Sequence, residues 1–281
     1  MTHGNKRCPI SPFILIMLVF ITTSCKSIST QTYVTETPLL EEQSSIKIVL
    51  ISDLHSTIHG KDQTILIDMV KNIAPDIIIL SGDIFDDVIS MTGTQLLLRG
   101  ISGIAPIYYV TGNHDYLSYN MQAYREELMY YGVIILSDNY VIIEINNNEI
   151  VVAGIEDPYK GLYEMPGYNQ NESMESAFRE LDEVTLYKIL VAHRPERIEY
   201  YKNYSFDLIL SGHTHGGQVR IPPVLNGLYA PGQGVFPKYA GGIYTHGNIV
   251  HVISRGLSVN PKLPRIFNPP ELVIVIIESA K

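Results

Sequence analysis

The feature that most constrains this chain is an alternation that starts at Ile46, in which short apolar runs are each followed by a segment of helical periodicity. Lys47-Ile48-Val49-Leu50-Ile51 is the first run and ends at Ser52-Asp53. From Asp62 to Ile73, the residues Ile65, Leu66, Met69, Val70 and Ile73 share one helical face, and Pro75 stops the segment. Asp76 to Leu80 is a second buried strand, Gln95 to Leu98 a short helix, and Ile107 to Val110 a third strand. Parallel strands need crossovers on the sheet face, so a β-α-β arrangement is expected.

Further along, a helix is expected from Ser118, as N-cap, to Tyr131, with Gly132 as its stop. Tyr140 to Ile145 and Ile150 to Ala153 flank Asn146-Asn147-Asn148-Glu149, and Asn tolerates positive φ, so these runs form an antiparallel hairpin and the sheets are mixed. Asp157 to Asn171 is an irregular loop before a helix over Glu172 to Glu183. Lys188 to Ala192, Asp207 to Leu210, Ile249 to Ile253 and Leu272 to Ile277 are further strands. A chain of 281 residues, 46% of them hydrophobic, can bury one sizeable core, and a domain of roughly 200–250 residues is expected.

The N-terminus has the layout of a targeting segment. Lys6 and Arg7 precede an apolar run from Ile10 to Ile21, broken only by Ser11 and Pro12, and small polar residues follow up to Cys25. About 12 apolar residues fall short of the ~20 needed to span hydrocarbon. Ile21-Thr22-Thr23-Ser24-Cys25 resembles a bacterial lipobox, whose Cys carries the lipid, although Thr22 stands where Leu is usual. Residues 1–24 are therefore expected to be a signal peptide of lipoprotein type, with plain secretion or an uncleaved anchor as the other readings. Cysteines occur only at positions 8 and 25, so cleavage before Cys25 leaves it without a disulfide partner. Residues 25–45, rich in Ser, Thr, Gln and Glu, are expected to be a flexible tether, and 46–281 the folded domain.

Twenty Lys and Arg against 29 Asp and Glu give a net charge of −9, which disfavours nucleic acid and anionic lipid as partners. A phosphate-bearing substrate must then be attracted locally, and a bound metal reverses the field around it. Five motifs, each at a predicted strand end, supply suitable groups: Asp53-Leu54-His55, Gly82-Asp83, Gly112-Asn113-His114-Asp115, His193, and Gly212-His213-Thr214-His215. Sites in open α/β sheets collect at the carboxyl ends of strands, so the five can converge. Singly, each is ordinary: Asp-x-His caps helices, Gly-Asp makes turns, and a loop His is usually just hydrogen-bonded. Together they hold five of nine histidines, and carboxylate, amide and imidazole donors without thiolate suit Mn, Fe or Zn.

This succession resembles the calcineurin-like metallophosphoesterase superfamily, whose motifs occur in the same order. Gly216-Gly217-Gln218 and Ser254-Arg255-Gly256-Leu257 are similar to its YkuE/YaeI-like group. The resemblance implies an α/β fold in which two mixed β-sheets pack face to face with flanking helices, an αββα sandwich. It also implies two divalent metal ions, one held by Asp53, His55 and His215, the other by Asn113, His193 and His213, with Asp83 bridging. His114 would act on the leaving group without ligating. Asp86 and Asp115 are candidates for supporting these residues.

The expected function is hydrolysis of a phosphoester or pyrophosphate, as a phosphodiesterase or phosphatase at the extracytoplasmic face of the cell membrane. Some relatives cleave the pyrophosphate of a UDP-diacylglucosamine in lipid A synthesis, but that needs a cytoplasm-facing site and conflicts with a cleaved lipoprotein signal. A non-catalytic binding scaffold is the alternative of another class, and it should have lost ligands or His114. His59 is a possible substrate contact, His246 a loop residue, His251 a strand residue, and Arg255 either a phosphate contact or an ion-paired side chain.

Overall fold

The computed structural model describes residues 27–259 and 265–280. Among them the strands are β1 (Ser29–Thr37), β2 (Ser45–Ile51), β3 (Ile77–Ser81), β4 (Ile107–Val110), β5 (Ile134–Ile135), β6 (Asn139–Ile145), β7 (Asn148–Gly154), β8 (Tyr187–Val191), β9 (Leu208–Ser211), β10 (Tyr229–Ala230), β11 (Gly234–Val235), β12 (Gly242–His246), β13 (Ile249–Ile253) and β14 (Glu271–Ser279). The helices are α1 (Thr64–Ile73), α2 (Thr92–Ile101), α3 (Asn113–Leu117), α4 (Met121–Tyr130), α5 (Lys160–Tyr163), α6 (Gln170–Phe178) and α7 (Ile198–Tyr201), with four short 3₁₀ turns between elements.

Two six-stranded sheets, ordered β1-β14-β2-β3-β4-β5 and β12-β13-β9-β8-β7-β6, carry the core. Strands β2 to β5 are mutually parallel, as are β7, β8, β9 and β13, while β14, β6 and β12 add antiparallel pairings, so both sheets are mixed. Side chains alternate across each strand. Ile48, Leu50, Ile77, Ile79 and Val110 of the first sheet thus meet Val152, Ile189, Val191, Leu208 and Leu210 of the second in one buried layer. The opposite residues, Val49, Ile51, Ile78, Leu80 and Tyr109, pack under Leu66, Val70, Leu97 and Leu98. Val151, Leu190 and Ile209 pack under Met174, Phe178 and Tyr201. Both sheets are apolar on two faces, which is why their strands read as continuous apolar runs. The layers are helix, sheet, sheet, helix, as the resemblance implied.

Several boundaries differ from the sequence reading. The expected tether contains β1, which pairs in parallel with all of β14. Thr and Val give this segment β-propensity, and Tyr33 and Thr35 turn inward while Thr32, Val34 and Glu36 face solvent; polar composition had hidden an edge strand. The buried stripe of α1 is Leu66, Ile67 and Val70, with Ile65 half-exposed, because a 3₁₀ turn at Lys61–Gln63 resets the helix start. The helix expected from Ser118 is two helices: Asp115 caps α3 by accepting from the Gly112 N–H at 2.7 Å, and Tyr119 at φ +58° breaks the chain before α4. The predicted Gln95 to Leu98 helix extends over the whole of α2, and His246 closes β12 rather than lying in a loop. The hairpin is as expected, with Asn146 and Asn147 at φ +51° and +62°. The signal peptide and Cys25 lie outside the described residues. No helix among the described residues is long and apolar enough to cross a membrane.

Candidate metal centre

Each motif sits one or two residues beyond a strand: Asp53 and His55 after β2, Asp83 after β3, Asn113 after β4, His193 after β8, and His213 and His215 after β9. The two sheets bring their carboxyl ends to one edge. There the ligand atoms of Asp53, His55, Asp83 and His215 lie within 4.8 Å of one another, and those of Asp83, His193 and His213 do likewise. Asp83 belongs to both groups, the position the resemblance gave to a bridge.

Asp53, His55, Asp83, His213 and His215 all have positive φ, between +47° and +71°. Side-chain-bearing residues rarely adopt this conformation, and it clusters at functional sites because surrounding structure must enforce it. The motif glycines make the room. A Cβ on Gly212 would drive into Ser52 Oγ and the Asp53 carboxylate, and one on Gly112 into the Asp83 carboxylate. Backbone donors fix the carboxylates. The His213 N–H donates to Asp53 at 3.0 Å and the His114 N–H to Asp83 Oδ1 at 2.8 Å.

Outer partners orient the imidazoles. His55 Nδ1 pairs with Asp86 Oδ2 at 2.9 Å, His193 Nδ1 with the Ser81 carbonyl at 2.8 Å, and His215 Nδ1 with Ser258 Oγ at 3.1 Å, leaving Nε2 of each ring for the centre. Asp115 accepts from the backbone N–H groups of Asp83, Phe85 and Gly112, tying the Gly-Asp turn to the Gly-Asn-His-Asp turn. Asp86 and Asp115 thus both bond to residues of the motifs.

The charge balance is that of a cation site. Burial acts to raise the Asp83 carboxyl, but the His193 and His55 imidazoles outweigh it and hold it well below the ordinary range. Burial pushes Asp53 up against the pull of His193, and it pushes Asp115 up to about 7 with help from the Asp83 charge. His213 and His215 are held well below the usual imidazole range, by burial and by cationic neighbours, so both are neutral and can donate to a metal. His55 Nε2, Asp83 Oδ2, Asn113 Oδ1 and His193 Nε2 are buried with no hydrogen-bond partner among the described residues. Asp83 Oδ2 lies 3.2 Å from His193 Nε2 and 3.6 Å from His55 Nε2, so buried atoms from three turns gather about one carboxylate, an arrangement that suits divalent cations.

Hidden from sequence reasoning were three further groups. Asp87 Oδ1 lies 2.7 Å from His114 Nδ1 and fixes the half-exposed ring that stands 4.6 Å from His55. Arg194, directly after His193, is held by Asp157 through Nε at 2.6 Å, lies over the Tyr159 ring, and brings Nη1 to 3.4 Å from His213 Nε2. Asp157 itself follows β7, and its place just beyond a buried strand was the available signal. His59 does not reach the centre: it is buried and bonded to the Leu257 carbonyl. Arg255 pairs with Glu271.

A family model for the calcineurin-like phosphoesterases matches residues 46–217, which hold every motif above. The chain belongs to the calcineurin-like phosphoesterases. It is a metal-dependent phosphoesterase, and two divalent metal ions are its cofactors. This phosphoesterase is 32% identical to protein YpbG of Bacillus subtilis over 82% of its own length and 80% of that relative's. It is 26% identical to metallophosphoesterase YkuE of the same organism, over 83% and 79%. Phosphodiesterase YaeI of Escherichia coli is also 26% identical, over 79% and 82%. Among solved structures, the Haemophilus influenzae NAD nucleotidase shares the fold with a TM-score of 0.53 at 16% identity, over 77% of this chain and 46% of that one.

Proposed function

We propose that this phosphoesterase hydrolyses a phosphodiester at the outer face of the cell membrane, held there through Cys25. Asp53, His55 and His215 would hold one ion, Asn113, His193 and His213 the other, and Asp83 both. The two groups of buried carboxylate and imidazole atoms that share Asp83 carry the hydrolase part of this reading. Relatedness to a phosphodiesterase supports a diester as substrate. When bound, two divalent ions supply the positive charge that attracts phosphate and lower the pKa of water toward neutrality.

The chain's own residues do the rest. Asp86, the Ser81 carbonyl and Ser258 keep three imidazole rings in one orientation, so the phosphate meets a preorganised site. Asp87 takes Nδ1 of His114, and Nε2 then hands a proton to the leaving oxygen as the P–O bond breaks. Arg194, charged at any working pH and fixed by Asp157, supplies a guanidinium beside His213 for a phosphate oxygen.

Turnover of bis(p-nitrophenyl) phosphate by the full chain with Mn²⁺ tests the proposal. Hydrolysis is expected, and no turnover with Mn, Fe or Zn would favour the scaffold reading. Cys25→Ser should abolish fatty-acid labelling, and unchanged labelling would contradict the lipid anchor.

A further inference from the structure

We propose that the catalytic edge is seated against a lipid bilayer and that the substrate is a phosphodiester carried in the headgroup layer; this deepens the hydrolase reading and rests on it. Strand direction carries the argument. β2 runs toward the metal centre and ends at Ile51, just before Ser52-Asp53. β14 is antiparallel to β2, so it begins at that edge, and β1, parallel to β14, begins there too. Ser29 lies opposite Glu271, its N–H donating to the Pro270 carbonyl at 2.8 Å, and the Glu271 N–H donates at 3.0 Å to Gly256, which packs on Asp53. The first described strand therefore begins at the edge that holds the candidate ligands.

That placement limits the reach of any N-terminal anchor. Cys25 precedes Ser29 by four residues, and the apolar run ends eight residues before it at Ile21. At roughly 3.3–3.6 Å per residue, the edge lies at most about 14 Å from a lipid on Cys25, or about 28 Å from an anchor ending at Ile21. A tether reaching to residue 45 would have left orientation open; β1 removes that freedom.

Apolar side chains are exposed on turns bonded to the ligand-bearing loops and in a cavity beside the first described residues. Ser27 and Ile28 line a cavity of about 450 Å³ with Ile58, His59, Ile65 and Val259. Val88 is 86% exposed, and its N–H donates to Asp86, the carboxylate that orients His55. Phe236, 69% exposed, donates its N–H to the carbonyl of Leu228, which in turn donates to Gly217 just after His215. Phe267 is exposed next to Asn268, which holds the His215 carbonyl at 2.7 Å. Exposed apolar side chains on turns tied to the ligand loops offer a binding surface. A net charge of −9 gives no attraction to anionic lipid, so anchor and apolar contact must do the seating.

A headgroup phosphodiester then lies beside the centre. The oxygen of water bonds to phosphorus, the P–O bond to the leaving group breaks, and the leaving oxygen takes a proton from His114, which a proton of the attacking water then replaces through solvent, giving a phosphomonoester and an alcohol.

The chain has no tryptophan, so single reporters are unambiguous. Full-length Val88→Trp, Phe236→Trp and Glu149→Trp would be reconstituted in phosphatidylcholine/phosphatidylglycerol vesicles containing brominated lipid. Glu149, exposed at the start of β7, marks the opposite end. Quenching several-fold stronger at positions 88 and 236 than at 149 is expected. Equal quenching at all three, or none at 88 and 236, overturns the proposal. Each preparation is also assayed on bis(p-nitrophenyl) phosphate and on a vesicle-borne lipid p-nitrophenyl phosphodiester. Turnover of the soluble diester without edge-specific quenching sinks the membrane inference alone, and absent turnover sinks the hydrolase reading beneath it. Several-fold preference for the lipid diester is expected, and equal or lower efficiency overturns the substrate class.

Discussion

On the proposed mechanism, His114 and Asp86 do two different kinds of work. His114 is half-exposed, sits outside the two groups that share Asp83 but joins His55 and Asp86 in a third, and takes its orientation from Asp87. Its replacement by Ala should leave both metals bound and lower turnover by about 10²–10⁴-fold, the contribution of a positioned proton donor. Metal analysis beside steady-state kinetics checks this, and loss of metal would show that His114 is a ligand. Asp86 holds His55. Asp86→Asn should weaken metal affinity by about 10–100-fold, measured by Mn²⁺ titration, and an unchanged affinity would contradict the orienting role. The candidate ligands were legible in the sequence because five motifs, each ordinary alone, fall one after another at strand ends. Asp87 and Arg194 were not, since a lone Asp or Arg in a loop is ordinary and only three-dimensional contact assigns it a partner.

At the scale of elements, the parallel strands were readable because burial on both faces leaves a continuous apolar run. β1 was missed because an edge strand is half solvated and reads as polar. Its Tyr33 packs against the layer between the sheets, and burial pushes its hydroxyl up to about 12. Tyr33→Ala should therefore reduce stability by about 1–2 kcal/mol in urea denaturation, from lost apolar burial. A flexible tether would show no change. The split between α3 and α4 was equally hidden: a turn at Tyr119 with positive φ has no residue signature, since Gly or Asn is the usual occupant.

For the whole molecule, stability should depend on pH through His251, buried in β13 beside Ser211. Burial, with a smaller push from His246, lowers its pKa to about 3, against an ordinary value of 6.5. The unfolded chain thus binds a proton below 6.5 that the folded chain refuses. This group's contribution is intact above pH 6.5 and declines by about 1.4 kcal/mol per pH unit as the pH falls toward 3. His251→Gln should flatten that acid limb by one proton in denaturant titrations at stepped pH, and an unaltered slope would contradict it.

The central claim is that donors from both sheets meet around a pair of ions sharing Asp83, and metal stoichiometry tests it most directly. The purified chain, equilibrated with Mn²⁺ and analysed by mass spectrometry of its metal content, should hold two ions, and Asp83→Ala should hold neither tightly. A chain that retains no ions, or one that keeps both without Asp83, would contradict the account.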